Sequence, residues 1–322
     1  MGEGWLGYNE THSLPSAPVR WHARQGLRLR CPQPPAGRRR MNRHLLWPTD
    51  GTGADLATTL LHAAQDGTNR LSGSAADIID GYLDWVSSQV RMLQTRVAPA
   101  DLDQLLTTPR YWATVANQIP SPSTVSAVLE EIQYRARLMA QAATVLNDAA
   151  EAWRPVDGAY SNLALVDTNF WVEQRESFDN IDWHELLDRA DGPSAPAMQD
   201  ELRIVVPMVV IDELDSLSHK RDLRPKVIGA TRWLYTHLNQ APTRAATLKE
   251  ATGIRGAVTA QLVFEPHAHT RLPNNDDEIV ETGVRLRDFL GHPPRQVFFL
   301  TYDAGAAFRA GHAGLMPRLM AK

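Results

Sequence analysis

The sequence predicts an α/β protein in two parts, an N-terminal all-α helical bundle followed by an α/β/α sandwich with a central parallel sheet. Residues 54–152 carry apolar side chains at helical spacing and contain almost no β-branched runs. From residue 161 onward, short apolar runs alternate with helical stretches, a pattern typical of helices packed on a mostly parallel sheet. A chain of 322 residues is also long enough for two ordinary domains.

The composition predicts a globular protein that does not enter membranes. Hydrophobic residues make up 43% of the chain and charged residues 22%, and no apolar run reaches the roughly 18 residues that a membrane span needs. Cys31 is the only cysteine, which excludes an internal disulfide and favours a cytoplasmic location. The net charge of -4 neither supports nor excludes RNA binding, because an acidic metal site can mask a basic surface elsewhere.

Residues 1–45 are predicted to be a disordered basic arm. The first 40 residues contain seven arginines and several prolines but no sustained hydrophobic periodicity. They also lack the apolar stretch of a secretory signal. Two further interpretations stay open: an arm that touches RNA, and a mis-annotated start upstream of a true first residue at Met41.

Residues 46–155 are predicted to form the helical bundle. One amphipathic helix begins near Ser74, and a second follows the breaker at 120–123. The apolar stripe of the first consists of Ile79, Tyr82, Leu83, Val86, Val90, Leu93 and Val97, and that of the second of Val125, Leu129, Ile132, Ala136, Met139, Ala143 and Leu146. These stripes predict core packing, and the alternative is a surface that docks a protein partner or a second copy of the chain. This part has no cluster of metal-ligating residues and no phosphate-binding loop, so we assign it no chemistry.

Four apolar runs predict the strands of the second domain, residues 161–322. They lie at 163–166, 203–206, 258–264 and 297–300, and helices are predicted at 179–190, 208–219, 225–238 and 276–290. Three of the runs are almost continuously apolar, as is usual for strands that are buried on both faces of a sheet.

Acidic residues follow the predicted strands, at the edge where open parallel sheets bind ligands. Asp167 comes directly after the first run, and Asp303 comes three residues after the last. Glu213 lies near the start of the helix after the second run, and Asp276 and Asp277 open the helix after the third. A single such acid is a weak signal because Asp also caps helices, but four at corresponding places predict a shared site.

Converging carboxylates repel one another and raise their own pKa values unless a cation neutralises them. A hard divalent ion such as Mg²⁺ or Mn²⁺ prefers oxygen ligands of this kind. Hydrolysis of phosphodiester bonds uses such ions to activate water and to stabilise the leaving oxygen. The acids therefore predict a metal-dependent hydrolase of nucleic acid.

The motifs around these acids resemble those of the PIN-domain nucleases. The motifs occur in the order known from that family: Val166-Asp167-Thr168-Asn169, Val209-Val210-Ile211-Asp212-Glu213-Leu214-Asp215, Asn275-Asp276-Asp277-Glu278-Ile279 and Leu300-Thr301-Tyr302-Asp303. The resemblance covers residues 161–322 and leaves the helical part unmatched. The chain looks more like the larger housekeeping and RNA-processing PIN domains than like the compact toxins.

The resemblance implies an α/β/α fold and cleavage of single-stranded RNA by metal-activated water. It implies that the catalytic, metal-binding acids are Asp167, Glu213, Asp276 and Asp303, and that the residues orienting them are Thr168, Asn169, Asp277 and Thr301. Asp276 is preferred to Asp277 because Ile279 follows it at the family's spacing.

RNA affinity must come from cations around the site, because the acids themselves repel phosphate. Lys220, Arg221 and Arg224 are predicted to lie in a loop beside the helix that carries Glu213. The alternative interpretation is an ordinary solvated charged segment.

Two functions from different classes remain after these arguments. The leading hypothesis is an active endoribonuclease, either a housekeeping enzyme or the toxin of a toxin–antitoxin pair. The alternative is a non-catalytic RNA-binding or scaffold protein with a structural PIN fold, which missing acids would favour. A phosphatase of the haloacid dehalogenase kind would need an aspartate where Asn169 stands.

Overall fold

The computed structural model of the chain describes residues 46–70, 72–117, 119–156, 161–192, 196–239, 244–265, 269–291 and 296–321. The predictions for residues 1–45 therefore lie outside the described residues. The described residues belong to one compact unit. Its helices are all too short or too polar to span a membrane.

The part before residue 157 is helical, as predicted. Its helices are α1 (Gly53–Asn69), α2 (Ala75–Leu93), α3 (Pro99–Leu105), α4 (Pro109–Ala116) and α5 (Pro122–Glu151). The two long predicted helices correspond to α2 and α5. Ser74 starts α2 through a reciprocal capping box with Asp77, and Ser121 caps α5 ahead of a proline in the first turn.

The second part is an α/β/α sandwich built on a six-stranded sheet, which confirms the predicted fold class. Its strands are β1 (Ser161–Val166), β2 (Glu201–Pro207), β3 (Ala246–Lys249), β4 (Val258–Val263), β5 (Val297–Thr301) and β6 (Met316–Leu319). Its helices are α6 (Thr168–Glu173), α7 (Trp183–Arg189), α8 (Met208–Leu217), α9 (Arg224–Leu238), α10 (Asn275–Leu290) and α11 (Ala304–His312). The elements that the sequence did not predict are β3, β6, α6 and α11.

The strand order is β3-β4-β2-β1-β5-β6, and only the pairing of β3 with β4 is antiparallel. The chain starts at β1, moves outward to β2 and β4, and then returns to the other side of β1 to form β5. The strand order therefore reverses between β1 and β5, and crevices at such a point are where open α/β sheets bind ligands. The residues that follow β1 and β5 lie at this crevice.

The two parts are joined by buried contacts. Phe289 of α10 is 2% exposed and belongs to the core of the helical part, where its ring centroid lies 4.8 Å from that of Trp47. Gly53 at the start of α1 faces the Phe289 ring so closely that a side chain there would overlap it.

A second join is made by Arg203 in β2, which is fully buried. Its guanidinium donates to Glu201 Oε1 at 2.8 Å and to the carbonyl oxygens of Ala152 at 3.1 Å and Arg154 at 2.8 Å. The end of α5 is thus hydrogen-bonded to the sheet through a charge that is buried and paired.

Candidate active site

Asp167 directly follows β1 and is 1% exposed. It holds the N-cap position of α6, yet its side chain makes no capping hydrogen bond. Its Oδ2 accepts hydrogen bonds from Thr301 Oγ1 at 2.7 Å and from Asn169 Nδ2 at 3.3 Å. Its Oδ1 is buried and has no hydrogen-bond partner. The carboxylate is therefore not needed as a cap, and one of its oxygens is available to a ligand.

Burial raises the pKa of Asp167 to about 6. The Thr301 hydroxyl and the Thr168 amide oppose this rise, whereas the negative charges of Asp276 and Glu213 add to it. The pKa of Asp167 is therefore affected by acids that follow other strands. A cation at this position would let the carboxylate ionise more readily.

Glu213 lies in α8, the helix that follows β2, and its side chain is held by a residue at the start of α6. Thr168 Oγ1 donates to Glu213 Oε2 at 2.7 Å. Because Thr168 is the neighbour of Asp167, this hydrogen bond fixes the second acid relative to the first. The role of Thr168 in orienting the acids for metal binding stays a prediction.

Asp276 and Asp277 lie in the first turn of α10. The N-cap of α10 is Asn274, whose side chain accepts from the Asp276 amide at 2.9 Å, so capping does not account for Asp276. The guanidinium of Arg309, in α11, donates to Asp276 Oδ2, and its Nε lies 3.1 Å from Asp277 Oδ1. The sequence analysis missed Arg309.

Asp303 differs from Asp167 because it does cap a helix. Its Oδ1 accepts from the Ala306 amide at 3.0 Å at the start of α11. Its own amide donates to Thr301 Oγ1 at 2.9 Å. Thr301 therefore connects the carboxylate of Asp167 to the backbone of Asp303.

The four predicted acids influence one another electrostatically. The pKa of Asp276 is raised by burial and by the charges of Asp303, Glu213 and Asp277, and it is lowered by Arg309. Oxygen-only donors and a buried carboxylate oxygen without a partner fit a hard divalent ion. As the side chains stand in the described part of the chain, no three His, Cys, Asp or Glu residues form a group that could hold a metal ion.

The segment before α10 is held in place by hydrogen bonds to Glu278, another residue that the sequence analysis did not single out. Glu278 is 1% exposed, and its carboxylate lies 2.7 Å from His269 Nε2 and accepts from the Leu272 amide at 2.9 Å. These contacts fix the position of the residues that lead into the helix carrying Asp276. The imidazole of His269 is thereby paired with the Glu278 carboxylate.

The predicted RNA-binding cations lie on the surface after α8. Lys220 and Arg221 occupy the turn between α8 and α9, and all three side chains are exposed. Arg224 is the first residue of α9 rather than part of the loop.

The second part of the chain is similar to a known protein family. Residues 164–317 match the family model described as the PIN domain. The match runs from β1 to β6, contains the four acids and leaves α1 to α5 outside. No curated protein matches the chain.

Proposed function

We propose, starting from the match of residues 164–317 to the PIN domain, that the chain is a divalent-metal-dependent endoribonuclease that hydrolyses phosphodiester bonds of single-stranded RNA. PIN domains are generally metal-dependent nucleases that act on RNA. The catalytic residues of the proposal are Asp167, Glu213, Asp276 and Asp303, and the cofactor is Mg²⁺ or Mn²⁺.

The observation that carries the proposal is the state of the Asp167 carboxylate. A buried acid usually has its oxygens hydrogen-bonded, yet Oδ1 of Asp167 has no partner while other acids raise the pKa of its side chain. Such an arrangement is costly for the empty fold. A ligand that is positively charged and binds oxygen would offset this cost.

The surrounding side chains hold the acids in position. Thr301 and Asn169 fix Oδ2 of Asp167, and Thr168 fixes Glu213. In this role they keep the remaining carboxylate oxygens in an orientation suited to ligand binding. Asp167, Glu213, Asp276 and Asp303 would hold the divalent ion, which when bound would supply positive charge to stabilise the phosphate and to activate the attacking water.

The proposal also covers the residues that bind RNA, the cellular location and the partners. Lys220, Arg221 and Arg224 are the proposed phosphate contacts, because they are exposed beside the helix that carries Glu213. A cytoplasmic location, and a protein partner or second copy on the helical part, remain predictions.

The test is incubation of the purified full chain with labelled single-stranded RNA and Mn²⁺ or Mg²⁺, with and without EDTA. We expect internal cleavage that EDTA abolishes and that Asp167→Asn removes. The matched control is Asp215→Asn, which removes an exposed acid from the same helix as Glu213. It should cleave at the wild-type rate.

Metal-independent cleavage, or full cleavage by Asp167→Asn, would contradict the proposal. RNA binding without cleavage under any metal would favour the alternative of an RNA-binding or scaffold protein. DNA of the same sequence serves as a second substrate to test the preference for RNA.

A further inference from the structure

Arg309 is a cation inside the proposed acidic site. It lies in α11, and its side chain is 38% exposed. Its guanidinium contacts both acids at the start of α10: it donates to Asp276 Oδ2, and its Nε lies 3.1 Å from Asp277 Oδ1. It therefore joins the helix after Asp303 to the helix that carries Asp276.

Arg309 offsets the negative charge of the acids on α10 but makes no contact with the other acids of the site. In the described residues no cation contacts Asp167, whose hydrogen bonds come from Thr301 and Asn169. Glu213 likewise receives its hydrogen bond from the neutral hydroxyl of Thr168. Among the four candidate acids and Asp277, the guanidinium thus contacts only Asp276 and Asp277.

We propose that Arg309 is the internal counter-ion of the metal-free site, and that a divalent ion competes with its guanidinium for Asp276. This inference rests on the proposed function, because it needs the acids to bind metal. The guanidinium uses an oxygen of Asp276 that a metal ion would also use. Two cations close to one carboxylate also repel each other.

A counter-ion and an ordinary helix-to-helix salt bridge predict opposite effects on metal binding. If Arg309 only held α10 against α11, its loss would loosen the acids and weaken metal binding. If it competes with the metal, its loss strengthens metal binding and destabilises the metal-free protein, because the repulsion between the acids is no longer offset.

The test compares Arg309→Met with the wild-type full chain by calorimetric titration with Mn²⁺ and by thermal unfolding in EDTA. We expect Arg309→Met to bind Mn²⁺ about tenfold more tightly. We also expect its melting temperature in EDTA to be lower than that of the wild type, and the difference to shrink when Mn²⁺ is saturating.

The matched control is Arg287→Met. Arg287 is an arginine of α10 that donates to the carbonyl oxygens of Ala313 and Gly314, beyond the end of α11, and its carboxylate partner is Asp288. It therefore also connects α10 to the chain around α11, but outside the acids. Its loss should lower stability and leave Mn²⁺ affinity unchanged.

Unchanged or weaker Mn²⁺ binding by a folded Arg309→Met would overturn the counter-ion role. If that variant does not fold, the Nε–H resonance of Arg309 is followed in the wild type during titration with Mg²⁺, after assignment through Arg309→Lys. A shift that saturates with Mg²⁺ supports displacement, and no shift overturns it. A wild-type protein that binds no Mn²⁺ would refute the proposed metal site itself, whereas binding that Arg309→Met leaves unchanged refutes only the role of Arg309.

Discussion

At the scale of single residues, Asp167 combines features that a structural aspartate would not need. It is buried, does not cap its helix and has an oxygen without a partner. Burial and two other acids raise its pKa, so ionising it costs free energy in the metal-free protein. A cation bound at Asp167 would lower this cost.

The raised pKa of Asp167 predicts how the stability of the metal-free protein depends on pH. The pKa is about 6 in the fold and 3.8 in the unfolded chain, so the protonated form favours folding. This stabilisation is present below pH 4 and is lost as the pH rises through about 6. Two pKa units correspond to about 3 kcal/mol in the free energy of unfolding.

The measurement is urea unfolding in EDTA between pH 4 and 7 for the wild type and for Asp167→Asn. The variant keeps the shape but cannot ionise, so its stability relative to the wild type should rise across this range. Asp215→Asn controls for the loss of a carboxylate elsewhere. A difference between Asp167→Asn and the wild type that does not change with pH would mean that Asp167 titrates normally.

The sequence points to the four candidate acids but not to Arg309. Asp167 and Asp303 stand out because each follows an apolar run, so the strand pattern alone brings them to one edge. Arg309 pairs with an acid 33 positions earlier. It lies in α11, a helix that is rich in small residues and that the sequence did not predict. The direction of the Arg309 side chain was therefore not predictable either.

At the scale of elements, the connection from α8 to α9 and the first residue of α9 carry exposed positive charge. Glu213 belongs to α8, the exposed Lys220 and Arg221 lie within that connection, and the exposed Arg224 is the first residue of α9. The proposed function uses these cations to bind the phosphates of single-stranded RNA near an acidic site that repels them. The energy for this approach must come from the release of counterions.

Neutralising Lys220, Arg221 and Arg224 together should weaken RNA binding and reduce its dependence on salt. Each lost phosphate contact on a single strand flattens the slope of log K against log salt by about 0.7. The measurement is a salt titration of RNA affinity in the Asp167→Asn background, which prevents cleavage.

A second triple variant provides the control for this titration. It neutralises Arg91, Arg137 and Arg154, which are exposed cations of the helical part. This control should keep the wild-type slope. Equal slopes for all three proteins would mean that the connection is an ordinary charged surface and that RNA binds elsewhere.

The strands were predictable where both faces are buried and not at the edges of the sheet. All residues of β1 and β2 are buried, which explains their apolar runs. The edge strand β3 has no fully buried residue, and β6 contains Pro317 and the buried Arg318. Edge strands tolerate proline and polar residues, so their sequences lack a strand pattern.

At the scale of the whole molecule, the helical part and the sheet part share buried contacts. Phe289 belongs to a helix of the sheet part but packs in the helical core. Arg203 bonds the end of α5 to the sheet. The boundary near residue 157, which the sequence predicted from a change in pattern, is therefore crossed by buried side chains.

Phe289→Ala should destabilise both parts together. Removing a buried phenylalanine costs about 3 to 5 kcal/mol, and we expect a single unfolding transition at a lower temperature. The control is Phe308→Ala, because Phe308 is 80% exposed and its loss should have little effect on stability. The measurement is differential scanning calorimetry. Two separate transitions would show that the two parts unfold independently. Equal melting temperatures for both variants would show that Phe289 contributes no more to stability than Phe308 does.

The position of β1 in the middle of the sheet has a consequence for biosynthesis. The hydroxyl that holds Asp167 belongs to Thr301, which the ribosome adds 134 residues later. At ordinary rates of translation this delay is on the order of ten seconds. During that time the first acid has been made, but the strand that borders it on one side has not. A growing chain therefore cannot assemble the site, and any capacity to cut RNA begins only after β5 has been synthesised.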